Sequence, residues 1–129
     1  MNAYRFLLPL VNNQGISYAG AVDAWRKSAL SLAGGYTDNG QVNGAWRDNA
    51  SVVFDTLASI EVACEPDIAA TLAAHALELF ADQKSIYVVN VGTATICART
   101  RVGKYEFSDA DRIFHAQRVI ARREANRRW

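Results

Sequence analysis

The side chains best suited to chemistry crowd into one stretch, Gly34-Gly35-Tyr36-Thr37-Asp38-Asn39-Gly40-Gln41-Val42-Asn43-Gly44-Ala45-Trp46-Arg47-Asp48, which runs on to Val52-Val53-Phe54-Asp55. Four glycines, two large aromatics and an arginine fall within its first 15 residues. Such a glycine cluster marks tight turns or a close approach of backbone to another group, so Gly35 and Gly44 are candidates for ligand contact. Asp55 follows Val52, Val53 and Phe54 and precedes Leu57 and Ala58. A carboxylate in that setting must be hydrogen-bonded or lie in a polar cleft, because burying it alone costs on the order of several kcal/mol. In a partly dry pocket it could fix ribose hydroxyls, attract a cation or accept a proton. It could equally close a hairpin by accepting turn amides. Tyr36 and Trp46 could stack on a base or serve as packing at a sheet end. Arg47 and Asp48 follow Trp46 as ligand-facing groups or as a plain surface pair. Glu61 alternates onto the face opposite Ile60 and Val62, a face that tolerates an acid if it meets solvent or a neighbouring subunit.

Several kinds of site are missing. The sequence has no Gly-rich loop leading into Lys-Ser/Thr, no Gly-x-Gly-x-x-Gly after a strand, no nucleophile elbow and no His-x-x-x-His pair. There are two histidines, His75 and His115, which argues against a zinc hydrolase or a Ser-His-Asp triad. His75 lies beside a helical apolar stripe and reads as structural. Cys64 and Cys97 fit no zinc spacing and fall in apolar, strand-like segments, so they are expected to be buried free thiols in a reducing cytosol. No metal or cofactor is therefore expected. The N-terminal residues lack the pattern of a secretory signal and no apolar run reaches membrane-spanning length, so a cytoplasmic protein that does not enter a membrane is expected.

The elements that would position these groups can be traced by periodicity. Tyr4–Val11 reads as a strand with Pro9 towards its end or at an edge, followed by a turn at Asn12-Asn13-Gln14-Gly15. Ala19–Ala33 reads as a helix with Val22, Trp25, Ala29 and Leu32 on one stripe, stopped by Gly34-Gly35. A second strand is expected within Val42–Phe54, interrupted near Asp48-Asn49, and a third over Thr56–Cys64, the two pairing as an antiparallel hairpin. Glu65-Pro66-Asp67 opens a second helix with Ile68, Leu72, Ala76, Leu79 and Phe80 on its apolar face. Ser85–Val91 is a strand, and residues 94–102 continue as extended chain. The order β-α-β-β-α-β predicts an α+β fold of the ferredoxin-like plait type, with an extra C-terminal strand and a basic helix over 108–128 capped by Ser108 and Asp111. Two parts are expected, a ligand-binding domain at 1–104 and a basic helical extension at 105–129. One sheet face would be left bare, exposing Leu57, Ser59, Ala63, Tyr87 and Val89 or their opposite-parity neighbours, and oligomerisation would cover it.

The 129 residues suffice for one self-supporting core, and half of them are hydrophobic, which excludes a disordered chain. The formal charge of +1 hides an asymmetry. Residues 1–98 hold 5 Lys/Arg against 9 Asp/Glu, net −4, whereas residues 99–129 hold 9 against 4, net +5. A basic tail of that kind can attract acidic surfaces or nucleic acid, or it can be a solvated tail or a bridge to the acidic body of a neighbouring subunit. No motif supports the nucleic-acid form, and the solvated or bridging tail is preferred.

Taken together, Tyr4–Val11 with Asn13-x-Gly15, Gly34-Gly35-Tyr36-Thr37, Gly40, Gly44-x-Trp46, Asp55 and Gln83-x-x-Ile86-Tyr87-Val88 resemble a family of small bacterial and phage proteins. Its characterised members are the bacteriophage S-adenosylmethionine (SAM) hydrolases, now described as SAM lyases. The resemblance covers roughly residues 4–102. It implies a ferredoxin-like trimer that holds SAM, as substrate rather than cofactor, in clefts between subunits and cleaves it to methylthioadenosine and homoserine lactone. By position, the essential glutamate of the lyases falls at or beside Asp55, their tyrosine after the glycine turn falls on Trp46, and their glutamine before the last core strand is Gln83. Aspartate is one methylene shorter than glutamate, and tryptophan carries no phenolic hydroxyl. The resemblance thus makes Asp55 and Trp46 the catalytic candidates, and Tyr36, Gly35, Gly44, Arg47, Gln83 and Glu61 the substrate-binding ones. The alternatives left open are an oligomer that binds or sequesters a nucleotide without turnover, and a structural or interaction domain.

Overall fold

The computed structural model describes residues 1–99 and 105–106. Asn2–Gly92 form one compact unit, while Met1 and the chain from Thr93 onward fall in another. The second unit contributes a short antiparallel pair, β5 (Ala98–Arg99) with β6 (Tyr105–Glu106). The expected helix at 108–128, its capping box and most of the basic tail lie outside the described residues.

The first unit is α+β: a four-stranded antiparallel sheet and two helices. In chain order these are β1 (Asn2–Pro9), α1 (Ala19–Ala33), β2 (Thr37–Asp48), β3 (Ser51–Cys64), α2 (Pro66–Leu79) and β4 (Tyr87–Thr93). The strands lie side by side as β2-β3-β1-β4. Strand β3 runs antiparallel to both its neighbours, with Phe6 opposite Ile60 and Trp46 opposite Val53.

Alternation along the strands divides the side chains between two faces. Phe6, Leu8, Ala58, Ile60, Val62 and Cys64 turn to one side and join Val22, Trp25 and Ala29 of α1 and Ala69, Leu72 and Ala76 of α2 in a buried cluster. Trp25 is fully buried, lies 4.8 Å from the Phe6 ring and donates its indole N–H to the Leu72 carbonyl at 3.0 Å. The small side chains Ala29, Ala69 and Ala76 let both helices lie close to the sheet. Helix α1 ends as expected, with Gly34 in the left-handed region (φ 82°) and its amide bonded to the Leu30 carbonyl. Cys64 is a buried free thiol whose pKa is raised, first by burial and then by the nearby Glu65 and Asp67; Cys97 is a half-buried free thiol.

Three expectations need correction. Leu32 is exposed rather than core, because at 100° per residue it is Ala33 that returns into phase with Val22 and packs on the cluster. The glycine-rich stretch is not a connection but strand: β2 starts at Thr37, and the hairpin turns at Asn49-Ala50, with Asp48 opposite Ser51 and Asn49 at φ 55°. One residue is absorbed in a bulge between Asp38 and Gln41, where Gly40 takes φ 85° and donates its amide to the Asp38 carboxylate at 2.9 Å. Finally, Leu57 and Ser59 are buried on the helix-free face. They lie in the middle strand of three, opposite Pro9 and Leu7 of β1, so flanking side chains cover them. Tyr87 of the same face is exposed, and Ala63 and Val89 are half-buried.

Trp25 ties both helices to the sheet, so Trp25→Ala should destabilise the protein by about 3–5 kcal/mol. Urea unfolding followed by circular dichroism measures this, and a loss below about 1 kcal/mol would contradict the packing described.

Candidate functional site

The β2–β3 hairpin is longer than the core it borders, and its outer half carries the groups of interest. Gly44 pairs with Asp55 and Trp46 with Val53, so Gly44, Trp46, Val53 and Asp55 share the face turned away from the helices. Strands β2 and β4 are the two sheet edges, yet the Trp46 and Tyr87 rings meet with centroids 5.6 Å apart and planes inclined at 48°. The twist of a long two-stranded ribbon accounts for that approach.

Between the hairpin and the segment entering β4 lies a cleft of about 700 Å³. Trp46, Tyr87, Val53 and Leu57 give it apolar walls. Its charged and polar lining includes Arg47, Asp48 and Asp55 from the hairpin, Asp82, Gln83, Lys84 and Ser85 from the segment before β4, and Asn13. A cleft of this volume, with apolar and polar lining in about equal measure, can hold a small organic ligand.

Four of the eight residues singled out from the sequence therefore meet in one place: Trp46, Arg47, Asp55 and Gln83. The half-buried Asp55 carboxylate has no hydrogen bond or ion pair among the described residues, and the hairpin turn lies several residues away at Asn49-Ala50. Asp55 does not close the turn. Gly44 stands behind the site. A β-carbon at position 44 would come within 3.0 Å of the indole Nε1 and Cζ2 of Trp46, so the absent side chain is what lets the indole lie against the strand. Backbone conformation makes no such demand there.

The other three lie elsewhere. Tyr36 is half-buried against the core cluster, on the helix side of the sheet, and Gly35 adjoins it at the end of α1. Glu61 faces Arg5 across the strand pair at 3.5 Å, an ion pair of partly exposed side chains worth at most about 1 kcal/mol. His75, read as structural, lies 3.8 Å from Glu78 on the same helix. Among the described residues, no group of three His, Cys, Asp or Glu is arranged to hold a metal ion, and no helix is long and apolar enough to cross a membrane.

A hydrogen-bond network at the cleft wall was not foreseen. Asp82 accepts from the Asn13 backbone amide at 2.9 Å, from the Tyr18 hydroxyl and from the Gln83 side-chain amide at 3.1 Å. Asn13 in turn donates its side-chain amide to the Asp82 carbonyl and accepts from Gln83 at 3.1 Å. The Asn13 amide, then the Tyr18 hydroxyl, hold the Asp82 carboxyl below its ordinary pKa, while the bond to Asp82, helped by burial, raises that of Tyr18. The partners are 64 to 70 residues apart, so no local motif could have announced them. Tyr87 was likewise missed as a site residue, because only the approach of the two sheet edges brings it to Trp46.

No protein-family model matches the chain, and no curated protein sequence matches it either.

Gly44→Ala is permitted by the backbone and obstructed only by the indole, so it should displace Trp46 while leaving the fold intact. The expected result is a changed tryptophan emission spectrum with an unaltered far-ultraviolet circular dichroism spectrum. Identical emission in the two proteins would mean that the indole does not rest on position 44.

Proposed function

We propose that the protein is a SAM lyase, which binds SAM in this cleft and splits it into methylthioadenosine and homoserine lactone. The observation that supports this reading is a coincidence of two independent lines. The three positions matched to the SAM lyases by sequence resemblance, Trp46, Asp55 and Gln83, all line the same cleft. The element order β-α-β-β-α-β, with the helices on one face of a β2-β3-β1-β4 sheet, agrees with the proposed ferredoxin-like plait.

The chemistry asks little of acids or bases. A carboxylate oxygen of the methionine moiety attacks its own γ-carbon as the γ-carbon–sulfur bond breaks, and the electron pair of that bond goes to sulfur. The sulfonium becomes a neutral thioether, the lactone closes, and no proton need move. Positive and negative charge merge in the transition state, so a drier, less polar site and a folded substrate pose both favour it. Trp46 and Tyr87 offer flat apolar surface for adenine and for excluding water, and a sulfonium near their rings gains cation–π attraction. Asp55 is an acceptor with no competing partner among the described residues, suited to ribose hydroxyls or an ammonium group. Arg47 and Lys84 supply positive charge to orient the substrate carboxylate.

The site is completed in this reading by further copies of the chain, as a homo-oligomer with a trimer preferred, acting in the cytoplasm of a bacterium or a phage-infected host. Val52 and Phe54 are exposed on the hairpin, as expected of a strand pair that meets a neighbour. The substitution of Asp55 for glutamate and of Trp46 for tyrosine favours a second reading, in which the same cleft binds a nucleoside without turnover.

Incubating the protein with SAM and separating the products by chromatography tests the proposal. Methylthioadenosine and homoserine lactone are expected in equal amounts, and Asp55→Asn should lower the rate about a hundredfold or more while changing stability by less than about 0.5 kcal/mol. Binding of SAM that is recovered unchanged would leave the sequestering reading. A large loss of stability in Asp55→Asn would return Asp55 to a structural role.

A further inference from the structure

The network around Asp82 has a defined polarity, and this carries through to the ligand. An ionised carboxylate only accepts hydrogen bonds, so every group facing Asp82 must present a donor. Asn13 is fixed in the same sense, since its side-chain N–H is taken by the Asp82 carbonyl at 3.0 Å and its amide oxygen is thereby turned towards Gln83. The Gln83 side-chain nitrogen thus meets two acceptors, Asn13 Oδ1 and Asp82 Oδ1, each at 3.1 Å. Flipping this amide would set oxygen against oxygen at both contacts, which is the unfavourable alternative. The backbone around the glutamine is held as well, with the Gln83 amide donating to the Phe80 carbonyl at 2.9 Å. The remaining polar atom of the half-buried Gln83, its Oε1, has no partner among the described residues, and the residue lines the cleft.

Resting on the reading of this cleft as a nucleoside site, we propose that Asp82 is a positioning residue. It locks the Gln83 amide so that only its carbonyl oxygen is offered to the ligand, and the cleft wall therefore selects a hydrogen-bond donor on the nucleoside. Tyr18 and Asn13 serve the same end by filling the other acceptor sites of the carboxylate. Asp82 itself is exposed and can be changed without disturbing the core. In Asp82→Asn, the Asn13 backbone amide can only donate, so the new amide must keep its oxygen there and turn its nitrogen towards Tyr18 and Gln83. The Tyr18 hydroxyl can rotate to accept, but Gln83 then meets a donor at position 82 and an acceptor at Asn13 Oδ1, so neither orientation of its amide satisfies both contacts and the lock is lost.

The test is a chemical double-mutant cycle with adenosine as the reference probe, compared with inosine (no 6-amino group) and 2′-deoxyadenosine (one hydroxyl fewer). Dissociation constants are measured by calorimetry for the unaltered protein, Asp82→Asn and Gln83→Leu, with melting temperatures as a check on folding. In the unaltered protein the loss of one of these donors should weaken binding roughly threefold to tenfold, as expected for one hydrogen bond. That penalty should disappear in Gln83→Leu and shrink in Asp82→Asn while the other persists. Equal penalties in all three folded proteins would overturn the inference and leave the site itself standing. Absence of binding by the unaltered protein would instead refute the nucleoside reading on which it rests. The free protein gives a second readout: the Gln83 side-chain amide protons should show nuclear Overhauser contacts to the Tyr18 ring that vanish in Asp82→Asn, and their absence in the unaltered protein would show that the lock does not form.

Discussion

Strict alternation along β3 is the constraint on which the rest depends. This 14-residue strand is shared by β1 on one side and β2 on the other, and its period of two allows no residue to change face without moving the whole register. Ala58, Ile60, Val62 and Cys64 are committed to the helices, which commits Val53, Asp55 and Leu57 to the opposite face. The helix-side cluster occupies only the inner part of the strand. Beyond it the hairpin extends past the core, and there a carboxylate can stand without being buried.

The glycines of the sequence take their meaning from that arrangement. Gly34 ends α1, Gly40 allows the bulge that adjusts the register of β2, and Gly44 vacates the space in which the Trp46 indole lies. What looked like one loop-forming cluster serves three separate purposes along a helix end and a strand. The cleft follows from them. It has an aromatic wall from both sheet edges, the Asp55 carboxylate from the middle of the hairpin, and a polar wall held by Asp82.

How far the sequence foretold this depended on how local each cause was. The bounds of helix α1 were legible to the residue, because its apolar spacing and the Gly34 cap lie within one short window, although the stripe wrongly took in Leu32. Residues 37–41, Thr-Asp-Asn-Gly-Gln, have the composition of a turn and become strand only because β3 offers them a ladder, so pairing overrides propensity. Burial of Leu57 and Ser59 was hidden for the same reason, since it depends on neighbours in two other strands. Within the site, Trp46, Arg47 and Asp55 could be grouped because they lie on one hairpin, and Gln83 was added by the resemblance. The hold of Asp82 on Asn13 and Tyr18 joins segments far apart in the chain, and no periodicity encodes it.

The central claim is that the face of the hairpin turned from the helices forms one wall of a nucleoside site. A crystal structure with bound methylthioadenosine tests it most directly. Adenine against the Trp46 and Tyr87 rings, with a ligand donor on Asp55 and another on Gln83, is the predicted result. A nucleoside seated elsewhere on the molecule, or a cleft that stays empty at saturating concentration, would contradict it.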